Sequence, residues 1–246
     1  MLKFGLLGKS LVHSFSKNFF TNYFATNQIE ATYENFEVER VEDVENVFAQ
    51  NFSGFNVTIP YKEVIIPFLD ELDEVAQEIS AVNTVVIKNG KSIGYNTDAY
   101  GFHQSIKPFM TNQHERAIIL GTGGASKAVE HVLKSLGVNV IFISRNPIGE
   151  NQFSYDEING RMLDACKLIV NCTPVGTFPN VDDFIEIPFS HLTEHHLVID
   201  LIYNPVKTKF LSRAEENNAM ILNGESMLKH QALKSYELWK ESEKCL

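Results

Sequence analysis

Several large classes of protein are excluded by what this chain has little of. Only three of its 246 residues are cysteine, Cys166, Cys172 and Cys245. An odd number without C-x-x-C spacing argues against a disulfide framework and reads as reduced thiols in a cytoplasmic protein. Positive charge is also scarce. Twenty-one Lys and Arg face thirty-one Asp and Glu, for a net charge of −10, and no basic block of five or more occurs. That argues against nucleic-acid binding driven by phosphate contacts. No apolar run is long enough to span a bilayer. The opening MLKFGLLGKS lacks the layout of a signal peptide and goes directly into a strand-like run. Internal repeats and low-complexity segments are missing too. His191, His195 and His196 cluster in HLTEHH, but no cysteine or carboxylate set completes three or four ligands, so the segment reads as a surface connector and no metal is expected.

What is present is an ordinary globular balance, 44% apolar and 21% charged, with length for one large domain or two smaller ones. Strand and helix signals alternate. KFGLLG and TYENFEV read as strands, KNFFTNYFATN and VEDVENVFAQN as helices. VVIKNGKSIGY reads as a hairpin, because Asn89-Gly90 supplies the two positive-φ turn positions. After the helix-like AYGFHQSIKPF and the polar TNQHER, a βαβ unit fills about thirty residues. KLIVNCTP and HLVIDLIY add two strands and KTKFLSRAEENNA a helix. The final helix ESMLKHQALKSYELWKESEK is a candidate to pack back on the first domain, with Met227 and Trp239 in a core. This pattern predicts an α/β protein of two domains. Residues 1–99 with the C-terminal helix 225–246 form an N-terminal domain with a mostly parallel sheet, and residues 100–224 form a Rossmann-like domain.

Two stretches carry chemistry. In FNVTIPYKE, Val57 and Ile59 alternate with Asn56 and Thr58, so the run is a strand. Pro60 lacks an amide N–H and ends it, a helix can start beyond, and Lys62 falls on the rim of the sheet. In GTGGAS, residues Gly121, Thr122, Gly123, Gly124, Ala125 and Ser126 follow the apolar AIIL and precede a helix. Gly121 serves the tight turn, Gly123 the approach of a pyrophosphate, and the helix start supplies N–H groups. A tight turn without a ligand is the bland alternative. The second strand ends in Ser144 and Arg145 with no acid, which favours NADP over NAD because a guanidinium suits a 2′-phosphate.

Other polar residues stand where apolar or turn residues would suffice: Ser14 and Ser16 in VHSFS, Asn83 in AVNT, and Asp98 in NTDAYG. Singly, Ser16 can cap a helix, Asn83 can serve a turn, and Asp98 can cap a helix starting at Ala99. Together they lie at the ends of successive strands, where open α/β sheets bind ligands. Hydroxyls, amides, one lysine and one carboxylate suit a polyhydroxylated acid.

The segments GLLGKSLVHSFS, NVTIPYKE, AVNTV, GYNTDAYG, GTGGAS, NCTPVG, DLIYNP and NGESMLKHQA stand in the order found in shikimate dehydrogenases, and the chain resembles that family over nearly its whole length. The resemblance implies reversible, NADP-dependent reduction of 3-dehydroshikimate to shikimate, on the route to chorismate and the aromatic amino acids. It implies substrate binding by Ser14, Ser16, Asn56, Thr58, Lys62, Asn83, Asp98, Tyr203 and Gln231, with Lys62 and Asp98 as the catalytic pair. It implies cofactor binding by Gly121 to Ser126, Ser144 and Arg145, with Thr173, Leu201 and Gly224 bordering the nicotinamide. The expected partner is the small-molecule substrate, with no nucleic acid or membrane, and the chain is expected to be a monomer or homodimer. Alternatives within the same fold are a quinate or aminoshikimate dehydrogenase using NAD(P), or a non-catalytic NADP-binding regulator.

The chain departs from the family pattern in three places. Ser144-Arg145-Asn146 stands for the usual Asn-Arg-Thr, and the second arginine is missing. Pro147 and Gly149 argue against the helix that normally follows, so the crossover should be a loop. Lys17 stands for the usual Pro, and Thr177 for the usual Met beside the nicotinamide.

Overall fold

The computed structural model describes residues 1–11, 14–48, 50 and 52–243. Cys245 lies outside them. The chain divides into two compact units, Met1–Tyr100 with Gln231–Leu246, and Gly101–His230. The second boundary falls within the last helix rather than at its start.

The first unit is built from β1 (Leu2–Gly8), α1 (Phe15–Thr26), β2 (Ala31–Glu37), α2 (Glu45–Phe48), β3 (Gly54–Val57), β4 (Glu71–Leu72), α3 (Glu74–Ile79), β5 (Thr84–Lys88), β6 (Lys91–Tyr95) and the start of α4 (Thr97–Ile106). Its six strands lie in the order β2-β1-β3-β5-β6-β4. β2, β1 and β3 run parallel. The hairpin β5-β6 is antiparallel to β3 and within itself, and β4 pairs parallel with β6. The hairpin turn has Asn89 at φ 53° and Gly90 at φ 76°, the positive angles that such a two-residue turn demands.

Three local expectations are corrected. The strand in FNVTIPYKE ends at Val57, and no α-helix follows Pro60. Ile65 N–H donates to Tyr61 O, and a short 3-10 turn covers Ile66–Phe68. Pro67 has no N–H to extend a helix, and Val64, Ile65 and Ile66 are β-branched. Ser14, not Ser16, caps α1, its Oγ accepting from Lys17 N–H at 3.4 Å. α4 begins at Thr97 and is capped by Asn96, whose Oδ1 accepts from Ala99 N–H at 3.1 Å, which leaves Asp98 in the first turn.

The second unit holds β7 (Arg116–Leu120), α5 (Gly124–Ser135), β8 (Asn139–Ile143), β9 (Gln152–Phe153), α6 (Gly160–Ala165), β10 (Leu168–Asn171), β11 (Leu197–Asp200), α7 (Lys209–Glu216), β12 (Met220–Leu222) and the start of α8 (Glu225–Glu243). All of its sheet pairs are parallel, in the order β12-β11-β10-β7-β8-β9. Central strands of such a sheet are covered on both faces, and AIIL, LIVN and LVID are accordingly buried throughout. Residues 144–151 join β8 to β9 as a loop without a helix. The α/β class, with a Rossmann-like second unit, stands as read from the sequence.

α8 returns to the first unit. Trp239 is fully buried, its ring stacked on Phe4 with centroids 4.4 Å apart. Its Nε1–H donates to Val85 O at 2.9 Å. Met227 is buried as well.

In the histidine connector His191 and His195 are exposed, as a surface segment would have them, but His196 is not. His196 is 1% exposed. Its Nδ1 accepts from Thr193 N–H at 3.0 Å, and Nε2 lies 2.9 Å from Leu163 O, which can only accept. The ring is therefore neutral with the proton on Nε2, and a second proton would face the Thr193 N–H. Burial holds its pKa below the ordinary value, against the raising effect of the Leu163 carbonyl. As pH falls through about 6.5, the unfolded chain takes up this proton first, so His196 contributes stability above that pH and loses it below. The drop in melting temperature caused by His196→Gln should be largest at pH 7–8 and shrink as the pH falls below about 6.5. A drop independent of pH would remove the histidine from this account.

Candidate active site

In the first unit the ends of β3, β5 and β6 are bound together by buried amides and hydroxyls. Asn83 is the hinge of this cluster. Its backbone N–H donates to Tyr95 O, and its own carbonyl accepts from Val57 N–H. Its side-chain Oδ1 accepts from Thr97 N–H at 2.6 Å and Thr97 Oγ1 at 3.2 Å, while Nδ2 reaches Gln231 Oε1 at 3.4 Å. The start of α4 is thereby fixed beside the end of β3.

This fixing brings Lys62 to Asp98. Val82 N–H donates to Lys62 O at 2.7 Å, tying the turn after Pro60 to the strand leading into Asn83. Lys62 Nζ then donates to Asp98 Oδ2 at 2.6 Å, and the two side chains are only 15% and 10% exposed. Two opposite charges this shielded hold one geometry, since either alone would carry the cost of lost hydration. An ammonium with two further N–H donors and a carboxylate with a free oxygen can bind a hydroxylated ring and pass it a proton.

Asn56 has a different place from the one expected. It is 4% exposed, and its amide is taken up by protein groups. Tyr33 OH donates to Oδ1 at 2.8 Å, and Nδ2 lies 2.9 to 3.2 Å from Ser235 Oγ, Thr84 Oγ1 and Asn83 O. No donor is left for a ligand. Tyr33, Thr84, Thr97 and Ser235 complete this buried network. None was singled out from the sequence: Tyr33 and Ser235 sit inside a regular strand and helix, and Thr84 and Thr97 open β5 and α4. The signal available was a polar residue on a face that the periodicity assigns to the core. Ser16 lies beside the Tyr33 hydroxyl, whose pKa burial raises and that serine lowers. Ser14, Ser16 and Thr58 are half-buried at the ends of neighbouring elements, and Gln231 is buried on α8.

In the second unit the glycine turn joins β7 to α5. Gly121 has φ 96°, and a Cβ there would lie 2.9 Å from Thr173 Cγ2. Gly123 caps α5 with no side chain of its own, and a Cβ added there would meet nothing within 4 Å. The turn thus leaves open space in front of free helix N–H groups, which fits a pyrophosphate. The expectation for Ser126 is corrected in part. Its side chain is 1% exposed and Oγ donates back to Gly123 O, so it locks the turn and offers no hydroxyl outward. Thr122 and Arg145 are exposed. Ser144 is buried and Oγ accepts from Asn146 N–H at 3.2 Å, fixing the loop that carries Arg145. Thr173, Leu201 and Tyr203 are half-buried in the loops after β10 and β11. Gly224 is buried, and a Cβ there would collide with Leu201 O. Among the described residues no group of His, Cys, Asp or Glu could hold a metal, and no helix is long and apolar enough to cross a membrane.

Residues 6–85 match the family model described as shikimate dehydrogenase substrate binding domain. The shikimate dehydrogenase (NADP(+)) of Desulforamulus reducens is 37% identical over 257 residues, spanning 96% of this chain and 88% of that protein. The chain belongs to the shikimate dehydrogenase family. A crystal structure of a shikimate dehydrogenase in complex with NADP+ superposes with a TM-score of 0.89 at 32% identity, covering 98% of this chain and 90% of that one. The Thermus thermophilus shikimate 5-dehydrogenase in complex with NADP(H) and shikimate gives 0.85 at 30% identity, covering 98% and 94%.

Proposed function

We propose that this chain catalyses the reversible, NADP-dependent reduction of 3-dehydroshikimate to shikimate, with the chemistry at Lys62 and Asp98. The observation that carries the reading is the shielded Lys62–Asp98 pair, 2.6 Å apart, in a chain that belongs to this family. When bound, NADPH would supply the hydride to the C3 carbonyl carbon. Lys62 Nζ–H hydrogen-bonds the carbonyl oxygen and delivers its proton as negative charge develops there. In the oxidative direction neutral Lys62 takes the proton back from the C3 hydroxyl. Asp98 orients the lysine through Oδ2 and accepts from a neighbouring ring hydroxyl through its other oxygen. Ser14 and Ser16 bind the substrate carboxylate, with Thr58, Asn83 and Gln231 on the remaining hydroxyls. Asn56 holds the ends of β3 and β5 in register from behind. Tyr203 is also assigned to substrate binding.

On the cofactor side, the open N–H groups at Gly123 to Ala125 take the pyrophosphate. Arg145 takes the 2′-phosphate, held forward by the Ser144 turn. Thr173, Leu201 and Gly224 border the nicotinamide. With one arginine in place of two, discrimination against NAD should be modest. The chain should function in the reduced cytoplasm as a monomer or homodimer, which light scattering after gel filtration distinguishes.

The deciding assay follows reduced-nicotinamide absorbance with shikimate or quinate, each with NADP or NAD. Turnover should be fastest with shikimate and NADP, with slower but measurable reaction when NAD replaces it. Preference for quinate would move the substrate assignment. Silence in all four mixtures, with NADPH still bound, would leave a non-catalytic binding protein.

A further inference from the structure

Two adjacent strands of the second unit end in a polar residue buried to 0% exposure, Asn171 on β10 and Asp200 on β11. They are direct partners in the parallel ladder. A sheet centre covered on both faces has no packing need for a carboxylate, and a buried carboxylate is expensive unless several donors meet it. Here three do. Asn171 Nδ2 donates to Asp200 Oδ1 at 3.0 Å, Ile202 N–H to the same oxygen at 3.1 Å, and Thr208 Oγ1 to Oδ2 at 2.6 Å. Burial still pushes this carboxyl up to about 6, against the lowering effect of the three bonds. At pH 8 it is ionised, the state that best holds three donors.

The bonds reach outward. Asn171 turns its Oδ1 to Thr173, accepting from the backbone N–H at 3.0 Å and the hydroxyl at 2.7 Å. The methyl of Thr173 packs against the glycine turn at Gly121. Ile202, held by Asp200, accepts from Gly224 N–H at 3.0 Å, and the Gly224 backbone rests against Leu201 O. Thr208 caps α7. One carboxylate therefore ties together the loops carrying Thr173, Leu201 and Gly224.

We propose that Asp200 is a positioning residue for the cofactor: through Asn171 and Ile202 its carboxylate fixes the loops that border the nicotinamide, without touching the cofactor itself. This rests on the cofactor assignment made above. An interaction fixed before binding spares the cofactor the ordering of these loops, so the effect is read in cofactor affinity.

The test uses the full-length chain at pH 8. NADPH fluorescence titrations give the dissociation constant, and steady-state rates give KM for shikimate. Asp200→Ala orphans three donors and should weaken NADPH about tenfold or more, the change expected when a buried hydrogen-bond partner is lost, while KM for shikimate moves less than about threefold. Asp200→Asn keeps an acceptor toward Asn171 and Ile202, and Thr208 can turn its hydroxyl to accept, so affinity should recover to within about threefold of wild type. If Asp200→Ala does not fold, Asn171→Ser removes the bonds to Asp200 and Thr173 while leaving those from Ile202 and Thr208 to Asp200, and should give the same selective loss. A merely structural role would lower the melting temperature and leave the constants of the folded protein unchanged. NADPH binding within twofold of wild type in every folded variant, or equal loss for cofactor and shikimate, overturns the proposal. A wild type that binds NADPH but does not oxidise shikimate overturns the substrate assignment instead, and the titration still decides the role of Asp200.

Discussion

Lys62→Ala should lower kcat by about 10²- to 10⁴-fold, the span that a positioned acid–base group contributes, while KM for shikimate changes less than about threefold. The serines proposed to bind the carboxylate and the amides of Asn83 and Gln231 are untouched by the substitution, so ground-state binding should survive. What disappears is the donor that meets charge appearing only as hydride arrives, and such a loss falls on kcat and kcat/KM together. Lys62→Arg should not rescue. A guanidinium stays protonated throughout the working range, so it cannot accept the hydroxyl proton in shikimate oxidation. Its planar fork also does not fit a single oxygen of Asp98 at 2.6 Å. Steady-state rates in both directions check this, and a Lys62→Ala enzyme within tenfold of wild type would remove Lys62 from the chemistry.

The lysine and aspartate were legible because each stands in a short ordered motif, FNVTIPYKE and NTDAYG, whose local context fixes where it falls. The Asn89-Gly90 hairpin and the glycine turn were legible for the same reason: special backbone angles select special residues within a few positions. The caps stand two residues before the candidates Ser16 and Asp98, at Ser14 and Asn96. Several cap-competent side chains crowd each helix start, and only the three-dimensional entry angle chooses among them. The true role of Asn56 was not legible. Its partners Tyr33, Thr84 and Ser235 come from β2, β5 and α8, and nothing local tells an inward amide from one facing a ligand. Asp200 was hidden differently. It closes an apolar run, where a polar residue also reads as an ordinary strand end.

Trp239→Ala should destabilise the protein by about 3 to 5 kcal/mol, a large share of the roughly 5 to 15 kcal/mol that holds a typical domain. The indole is fully buried among Phe4, Phe20 and Tyr33. It lies against Gly54, where any Cβ would collide with the ring. Truncation leaves a cavity bounded by strands β1, β2, β3 and β5 and by α1, and it leaves Val85 O without its indole donor. Trp239→Phe separates the two losses. It keeps most of the stacked area and removes only the N–H, so it should cost about 1 to 3 kcal/mol. Urea unfolding followed by far-UV circular dichroism makes the comparison, because the chain has no second tryptophan to report by fluorescence. The same helix carries Gln231 and Ser235 into the polar cluster, about two turns and one turn from Trp239 respectively. The folded fraction of Trp239→Ala should therefore show a raised KM for shikimate with NADPH affinity unchanged, since the glycine turn lies in the other unit. Equal stability of Trp239→Ala and wild type would mean that α8 is not anchored by its tryptophan.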